Sequence, residues 1–144
     1  MRRSLVALLI LLAGGAVLAD ERVRETDTHR VHYNAIQTSF LPEEVARTYG
    51  ITRSERRILL NVAVHRKEET PEGQPRAVEA EIDASAVNIN GQLKRFNMAP
   101  IHEDEAIYYI GTTRISEGET LDFDLRVRPA DADEPIRIEF RRQY

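Results

Sequence analysis

The segment Arg57–His65 constrains the fold most, because its polarity alternates from one residue to the next. Successive side chains of an extended chain point to opposite faces. One face of this segment is entirely apolar and the other is mixed, with Ile58, Leu60, Val62 and Val64 on the first and Leu59, Asn61, Ala63 and His65 on the second. A strand of this kind lies in the middle of a sheet and packs against a second layer.

Weaker alternation elsewhere predicts further strands, separated by turn signals. They cover residues 28–40, 76–84, 106–115, 121–128 and 136–141, and Asn90-Gly91 predicts a tight hairpin turn. About seven short strands of this kind predict an all-β, two-sheet antiparallel sandwich of the immunoglobulin or fibronectin type III kind.

A short helix is predicted over Leu41–Gly50, between the first predicted strand, 28–40, and the second, Arg57–His65. Pro42 suits the first helical position and Gly50 a left-handed stop, and Phe40 is placed to pack on Val45 as a hydrophobic staple.

Two details of strand pairing are also predicted. The phase of the first strand breaks at Ile36, which indicates a β-bulge near 34–36. In the C-terminal hairpin, opposite charges favour a register with Arg126 opposite Glu139 and Leu125 opposite Phe140.

The N-terminus has the three-part layout of a secretory signal peptide. Arg2 and Arg3 precede the apolar run Leu5–Leu12, and Val17-Leu18-Ala19 is a small-x-small cleavage site. The apolar stretch of about 14 residues is too short to span a bilayer, which takes about 20. We therefore expect cleavage after Ala19, a periplasmic protein without stable membrane insertion, and three regions: signal peptide 1–19, flexible arm 20–27 and a single sandwich domain 28–144.

Composition excludes several functions. Removing the signal peptide leaves 18 basic and 24 acidic residues, a net charge of −6. This acidic balance argues against nucleic acid and anionic membranes as partners. The chain has no cysteine, so it has neither a disulfide nor a thiol nucleophile.

No catalytic motif is present. The pattern Gly-x-Ser-x-Gly does not occur, and the run His102–Glu105 does not match His-Glu-x-x-His. We therefore predict a non-enzymatic protein with no catalytic residues and no cofactor, and a small hydrolase assembled in space is the least favoured alternative.

A copper-handling function is the main chemical alternative, because imidazole and thioether groups are ligands that copper accepts. The candidate ligands are His29, His32, His65, His102 and Met98. They are scattered along the chain without the spacing of a known metal site, so we assign no metal ligand. His29 and His32 are three residues apart, so on a regular strand they point to opposite faces.

Aromatic and amide side chains are concentrated between the first strand and the helix, with one more amide on the central strand. They either pack the helix over the sheet or, where exposed, mark a partner-binding surface: Tyr33, Asn34, Phe40, Leu41, Tyr49 and Asn61. The preferred function is accordingly a non-catalytic module that binds an envelope protein or peptide.

Several segments resemble one bacterial family. Residues 31–51 read Val-His-Tyr-Asn-Ala-Ile-Gln-Thr-Ser-Phe-Leu-Pro-Glu-Glu-Val-Ala-Arg-Thr-Tyr-Gly-Ile, and the similarity continues through Leu60–Val64, Gly91–Leu93 and Glu105–Ile110. Together they resemble the secreted proteins grouped as domain of unknown function 4426. The resemblance implies a small periplasmic all-β domain with no assigned activity, and it supplies no catalytic residues.

Overall fold

A computed structural model describes residues 22–67 and 75–144. The predicted signal peptide, its cleavage site and residues 20 and 21 of the predicted arm lie outside these ranges. The described elements are, in order, β1 (Arg22–Glu25), β2 (His29–Gln37), a 3-10 turn (Thr38–Phe40), α1 (Glu43–Thr48), β3 (Arg57–Arg66), β4 (Arg76–Ala77), β5 (Ala80–Asn88), β6 (Leu93–Phe96), β7 (Ala99–Glu103), β8 (Ala106–Arg114), β9 (Thr120–Pro129) and β10 (Ile136–Gln143).

The strands form two antiparallel sheets. Sheet A has the order β1-β2-β3-β8-β7, with β4 paired to the end of β3, and sheet B has the order β10-β9-β5-β6. The predicted two-sheet sandwich with one short helix is therefore confirmed. The helix lies between β2 and β3, the first two strands that the sequence predicted. No helix in the described part of the chain is both long and apolar enough to cross a membrane.

The main core lies between the two sheets, and β3 is central as predicted. Leu60 and Val62 are both 0% exposed. Opposite them, β9 contributes Leu121, Phe123, Leu125 and Val127. Burial of each such side chain contributes about 1.5–3 kcal/mol, which explains why alternate residues of β3 and β9 are apolar.

The predicted bulge in β2 is wrong. β2 pairs with β3 without interruption from His29 opposite Arg66 to Gln37 opposite Ile58. Ala35 faces the main core, whereas Ile36 packs on the other side of sheet A in a second apolar cluster. The break of phase therefore marks a strand that is covered on both faces.

The predicted strand 76–84 is divided between the two sheets. The Val78 amide donates to the Val64 carbonyl at 3.0 Å, on the sheet A side, and the Ala130 amide donates to the Glu79 carbonyl at 2.8 Å, on the sheet B side. The chain therefore changes sheets at residues 78 and 79.

The register of the C-terminal hairpin differs from the prediction by two residues. Arg126 lies opposite Arg137, and Leu125 lies opposite Ile138. A shift of two keeps every side chain on its predicted face. It also stacks Phe123 on Phe140, with ring centroids 4.4 Å apart, which the charge pattern alone could not predict.

Part of the predicted flexible arm is a strand. Arg22–Glu25 pairs with β2, with Val23 opposite His32. All four residues of β1 are exposed. Backbone pairing rather than burial forms this edge strand, so it leaves no hydrophobic periodicity in the sequence.

Candidate functional site

The outer face of sheet A, which points away from sheet B, carries an unusual row of polar side chains. On β2 and β3 the directly opposed pairs are His32 with Ala63, Asn34 with Asn61, and Ile36 with Leu59. Tyr108 of β8 packs against Ala63 from the neighbouring strand. The end of this face that carries Ile36 and Leu59 has an apolar covering.

Helix α1 provides that covering. Glu43 and Glu44 lie in its first turn and Arg47 in its last, so charges complement the helix dipole at both ends. After the helix, Gly50 has a φ of 66°, and the Ile51 amide donates to the Ala46 carbonyl at 2.8 Å, a Schellman-type ending. The helix therefore stops over the sheet instead of running past it.

The residue that anchors α1 is Leu41 rather than Phe40. Leu41 is 2% exposed and packs with Ile36, Ala46 and Leu59, whereas Phe40 is 56% exposed. The predicted staple between Phe40 and Val45 is therefore wrong, because the 3-10 turn directs Leu41 towards the sheet instead.

Tyr49 connects the end of α1 to the far edge of sheet A. Its hydroxyl donates to Glu103 Oε2 at 2.9 Å. Burial, followed by the hydrogen bond and negative charge of Glu103, raises the pKa of Tyr49 to about 12. The phenol therefore remains a protonated donor at physiological pH.

Three polar atoms near the centre of the outer face are buried without a hydrogen-bond partner among the described residues. They are Asn34 Oδ1, Asn61 Oδ1 and His65 Nδ1. A buried polar atom left unpaired costs about 1–3 kcal/mol. All three accept hydrogen bonds when His65 Nδ1 is unprotonated. The arrangement costs folding energy and leaves acceptors for a ligand with hydrogen-bond donors or positive charge.

Two imidazoles follow along the same face, His32 on the next opposed pair and His65 on the pair after that. The rings of His32 and His65 are edge to face, with centroids 5.3 Å apart. Burial lowers the pKa of His65, and the positive charges of His32 and Arg30 lower it further. Arg30 is itself paired with Glu25 at 2.7 Å. We call the four residues His32, Asn34, Asn61 and His65 the amide–imidazole patch.

Sequence reasoning missed the contact between the imidazole rings of His32 and His65. The two residues belong to strands separated by the 3-10 turn and α1, and their proximity follows only from the β2–β3 register. The one available signal was the apolar alternation of both strands, since aligning their apolar inner faces indicates their register.

The other predicted metal-ligand candidates are dispersed. His29 and His32 point to opposite faces, as predicted; His102 is exposed on β7, and Met98 packs against the main core. Within residues 22–67 and 75–144, no three side chains of the His, Cys, Asp and Glu types form a metal-holding group.

The predicted partner-binding residues are only partly brought together. Asn34, Asn61 and Tyr49 belong to the outer face of sheet A, and Leu41 lies beneath α1. Tyr33 points to the inner side, where its ring lies 5.0 Å from that of Phe140.

A hydroxyl, an imidazole and a carboxylate are aligned elsewhere. Thr28 Oγ1 lies 2.8 Å from His29 Nδ1, and His29 Nε2 lies 2.7 Å from Asp131 Oδ1. Arg66 also donates to Asp131, at 2.8 Å. The amides of Thr28 and His29 both donate to Thr26 Oγ1, so neither is free to stabilise an oxyanion. This arrangement connects sheet A to the β9–β10 loop, a structural role that accounts for all of its contacts.

An open groove of about 720 Å³ lies at one end of the sandwich, lined in part by Glu79, Glu81, His102 and Arg128. None of these four side chains is hydrogen-bonded to another in the structure as described.

Comparison with known proteins identifies a family for this architecture. A model of the family described as Domain of unknown function (DUF4426) matches residues 23–144. The crystal structure of a family member from Pseudomonas aeruginosa PAO1 has a TM-score of 0.72 and 29% identity, covering 88% of this chain and 95% of that chain. No curated protein sequence matches the chain.

More distant structures share the fold alone. FetP from the uropathogenic E. coli strain F11 has a TM-score of 0.59 and 10% identity, covering 87% of this chain and 93% of that one. A copper-bound variant of Campylobacter jejuni P19 has a TM-score of 0.55 and 15% identity, covering 87% of this chain and 95% of that one.

Proposed function

We propose that this chain, which belongs to the domain of unknown function 4426 family, is a non-catalytic periplasmic module that binds an envelope protein or peptide through the outer face of sheet A. The observation that carries the proposal is the set of unpartnered acceptors in the amide–imidazole patch, since a polypeptide offers N–H donors that match them. The signal-peptide pattern of residues 1–19 supports the compartment.

The outer face of sheet B, on the opposite side of the molecule, differs from that of sheet A in how its polar groups are paired. On the outer face of sheet B, Arg137 pairs with Asp124 at 3.0 Å and Arg141 with Asp122 at 2.6 Å. These exposed charges satisfy one another and need no ligand. On sheet A, Asn34 Oδ1, Asn61 Oδ1 and His65 Nδ1 have no such partner among the described residues, which favours sheet A as the binding side.

The test is a comparison of three immobilised proteins exposed to the same envelope extract. Asn61→Arg places a bulky charge at the centre of the patch, and Glu139→Arg places the same charge on the outer face of sheet B. We expect a partner captured by the wild-type protein to be retained by Glu139→Arg and lost by Asn61→Arg. Equal capture by all three would place the binding surface elsewhere.

Copper handling is a second candidate, favoured by the proximity of His32 and His65. It also agrees with the copper-bound state of a P19 variant that shares this fold. Untagged protein loaded with copper and then desalted tests it directly. We expect close to one equivalent to be retained, and less than about a tenth of an equivalent would reject the candidate.

A further inference from the structure

We infer that His32 and His65 form a copper(II)-binding site on the outer face of sheet A, with one nitrogen of each imidazole as a ligand. The inference rests on the second candidate function and specifies its site.

The geometry of the two rings suits a shared ion. An ion held at about 2 Å by one nitrogen of each imidazole keeps the ring centroids about 5–6 Å apart. The observed separation is 5.3 Å. His32 lies directly opposite Ala63, whose small side chain leaves room between the two rings. The two imidazoles project from paired strands in edge-to-face contact, so binding one ion through a nitrogen of each requires the rings to rotate.

The unpartnered atoms provide an independent indication. His65 Nδ1 is buried and has no hydrogen-bond partner among the described residues, and the same holds for the Oδ1 atoms of the two asparagines. Buried polar atoms in native proteins are nearly always paired with protein, water or an ion. Asn34 and Asn61 form the outer-face pair next to that of His32 and Ala63, on the side away from His65, so their amide oxygens lie further along the same face.

The donor set selects the metal. Imidazole nitrogen is a borderline ligand, and among divalent first-row ions sites with nitrogen ligands bind Cu²⁺ most tightly. The nearest cation, Arg30, lies directly opposite His65, but its guanidinium is paired with Glu25 at 2.7 Å, which reduces its repulsion of an ion.

The experiment is a Cu²⁺ titration of untagged protein, followed by calorimetry and electron paramagnetic resonance. We expect one Cu²⁺ per chain, with splitting from two imidazole nitrogens. His32→Gln and His65→Gln should each remove one of the two nitrogen couplings and weaken binding at least about tenfold. His102→Gln, an exposed histidine on β7, is the matched control and should bind as the wild-type protein does.

The outcomes separate this site from the wider function. If the wild-type protein retains no Cu²⁺, copper handling and the site are both rejected. If it binds Cu²⁺ but His32→Gln and His65→Gln bind equally well with unchanged spectra, only this assignment is overturned. Thermal unfolding of each variant confirms that it is folded, and His32→Gln gives a second readout should His65→Gln fail to fold.

Discussion

At the level of single residues, the structure separates two asparagines that look alike in the sequence, the buried Asn88 and the half-buried Asn61. Asn88 is 7% exposed, and its amide nitrogen donates at 2.8 Å to both Gln92 and Glu119. Asn61 Oδ1 has no partner in the described structure. Asn88 therefore stabilises the fold, whereas the unpaired Oδ1 of Asn61 destabilises it.

Replacing each asparagine with leucine tests this difference. Asn61→Leu removes an unpaired acceptor and should leave stability unchanged or raise it by about 1 kcal/mol. Asn88→Leu breaks a satisfied network and should lower stability by about 1–3 kcal/mol. Urea denaturation measures both. A loss from Asn61→Leu as large as that from Asn88→Leu would show that Asn61 is structural.

Glu119 should make stability depend on pH. Burial raises the pKa of its carboxyl, but hydrogen bonds from the Ser116 amide, Asn88 and Lys94 outweigh burial and lower the pKa overall. A carboxylate with a pKa lowered by folding stabilises the protein above its unfolded pKa of about 4.3 and loses that contribution as pH falls through the folded value.

Glu119→Gln is therefore expected to lower stability at pH 7 by about 1–3 kcal/mol. Its difference from the wild-type protein should begin to narrow as pH falls below the unfolded pKa of about 4.3, and should continue to narrow as pH falls through the lower pKa of the folded carboxyl. Thermal unfolding between pH 3 and pH 7 gives the comparison, with Glu117→Gln, an exposed change in the same turn, as the control. A difference that does not change with pH would contradict this role.

At the level of elements, α1 depends on one buried contact. Leu41→Ala empties a site that is 2% exposed and should cost about 2–5 kcal/mol. Phe40→Ala changes the adjacent residue, 56% exposed, and should change stability by less than about 0.5 kcal/mol. Chemical denaturation of the pair measures the difference. The reverse order would restore the staple that the sequence suggested.

The elements also show which features could be predicted from sequence. Strong alternation in β3 and β9 was sufficient to identify them, and Asn90-Gly91, with φ of 79° at Gly91, marked the β5–β6 hairpin. β1 was missed, because its exposed residues follow no pattern. The predicted hairpin register was off by two because opposite charges also pair in the register that stacks Phe123 on Phe140, Arg137 with Asp124 diagonally and Arg141 with Asp122 directly.

The candidate site was less predictable than the fold, because it depends on contacts between residues distant in sequence. Asn34, Tyr49 and Asn61 were recognised as unusual from their residue types. Their position relative to His32 and His65 depends on pairing between strands distant in sequence, and local patterns do not encode such a register. Tyr33 shared the composition of the group but faces the core.

At the level of the whole molecule, the two outer faces are chemically distinct. Sheet B presents self-paired charges and ends at the β5–β6 hairpin, where Ile89 is 83% exposed. Sheet A presents the amide–imidazole patch beside α1. This asymmetry is the basis of our proposal that sheet A is the binding side.

Photo-crosslinking in living cells measures this asymmetry most directly. A benzophenone side chain replaces either Phe40, an exposed aromatic residue next to the helix that covers sheet A, or Ile89, at the tip of the sheet B hairpin. The account predicts a crosslinked partner from position 40, suppressed when Asn61→Arg is added, and none from position 89. Crosslinks from position 89 alone, or crosslinks from position 40 that survive Asn61→Arg unchanged, would contradict it.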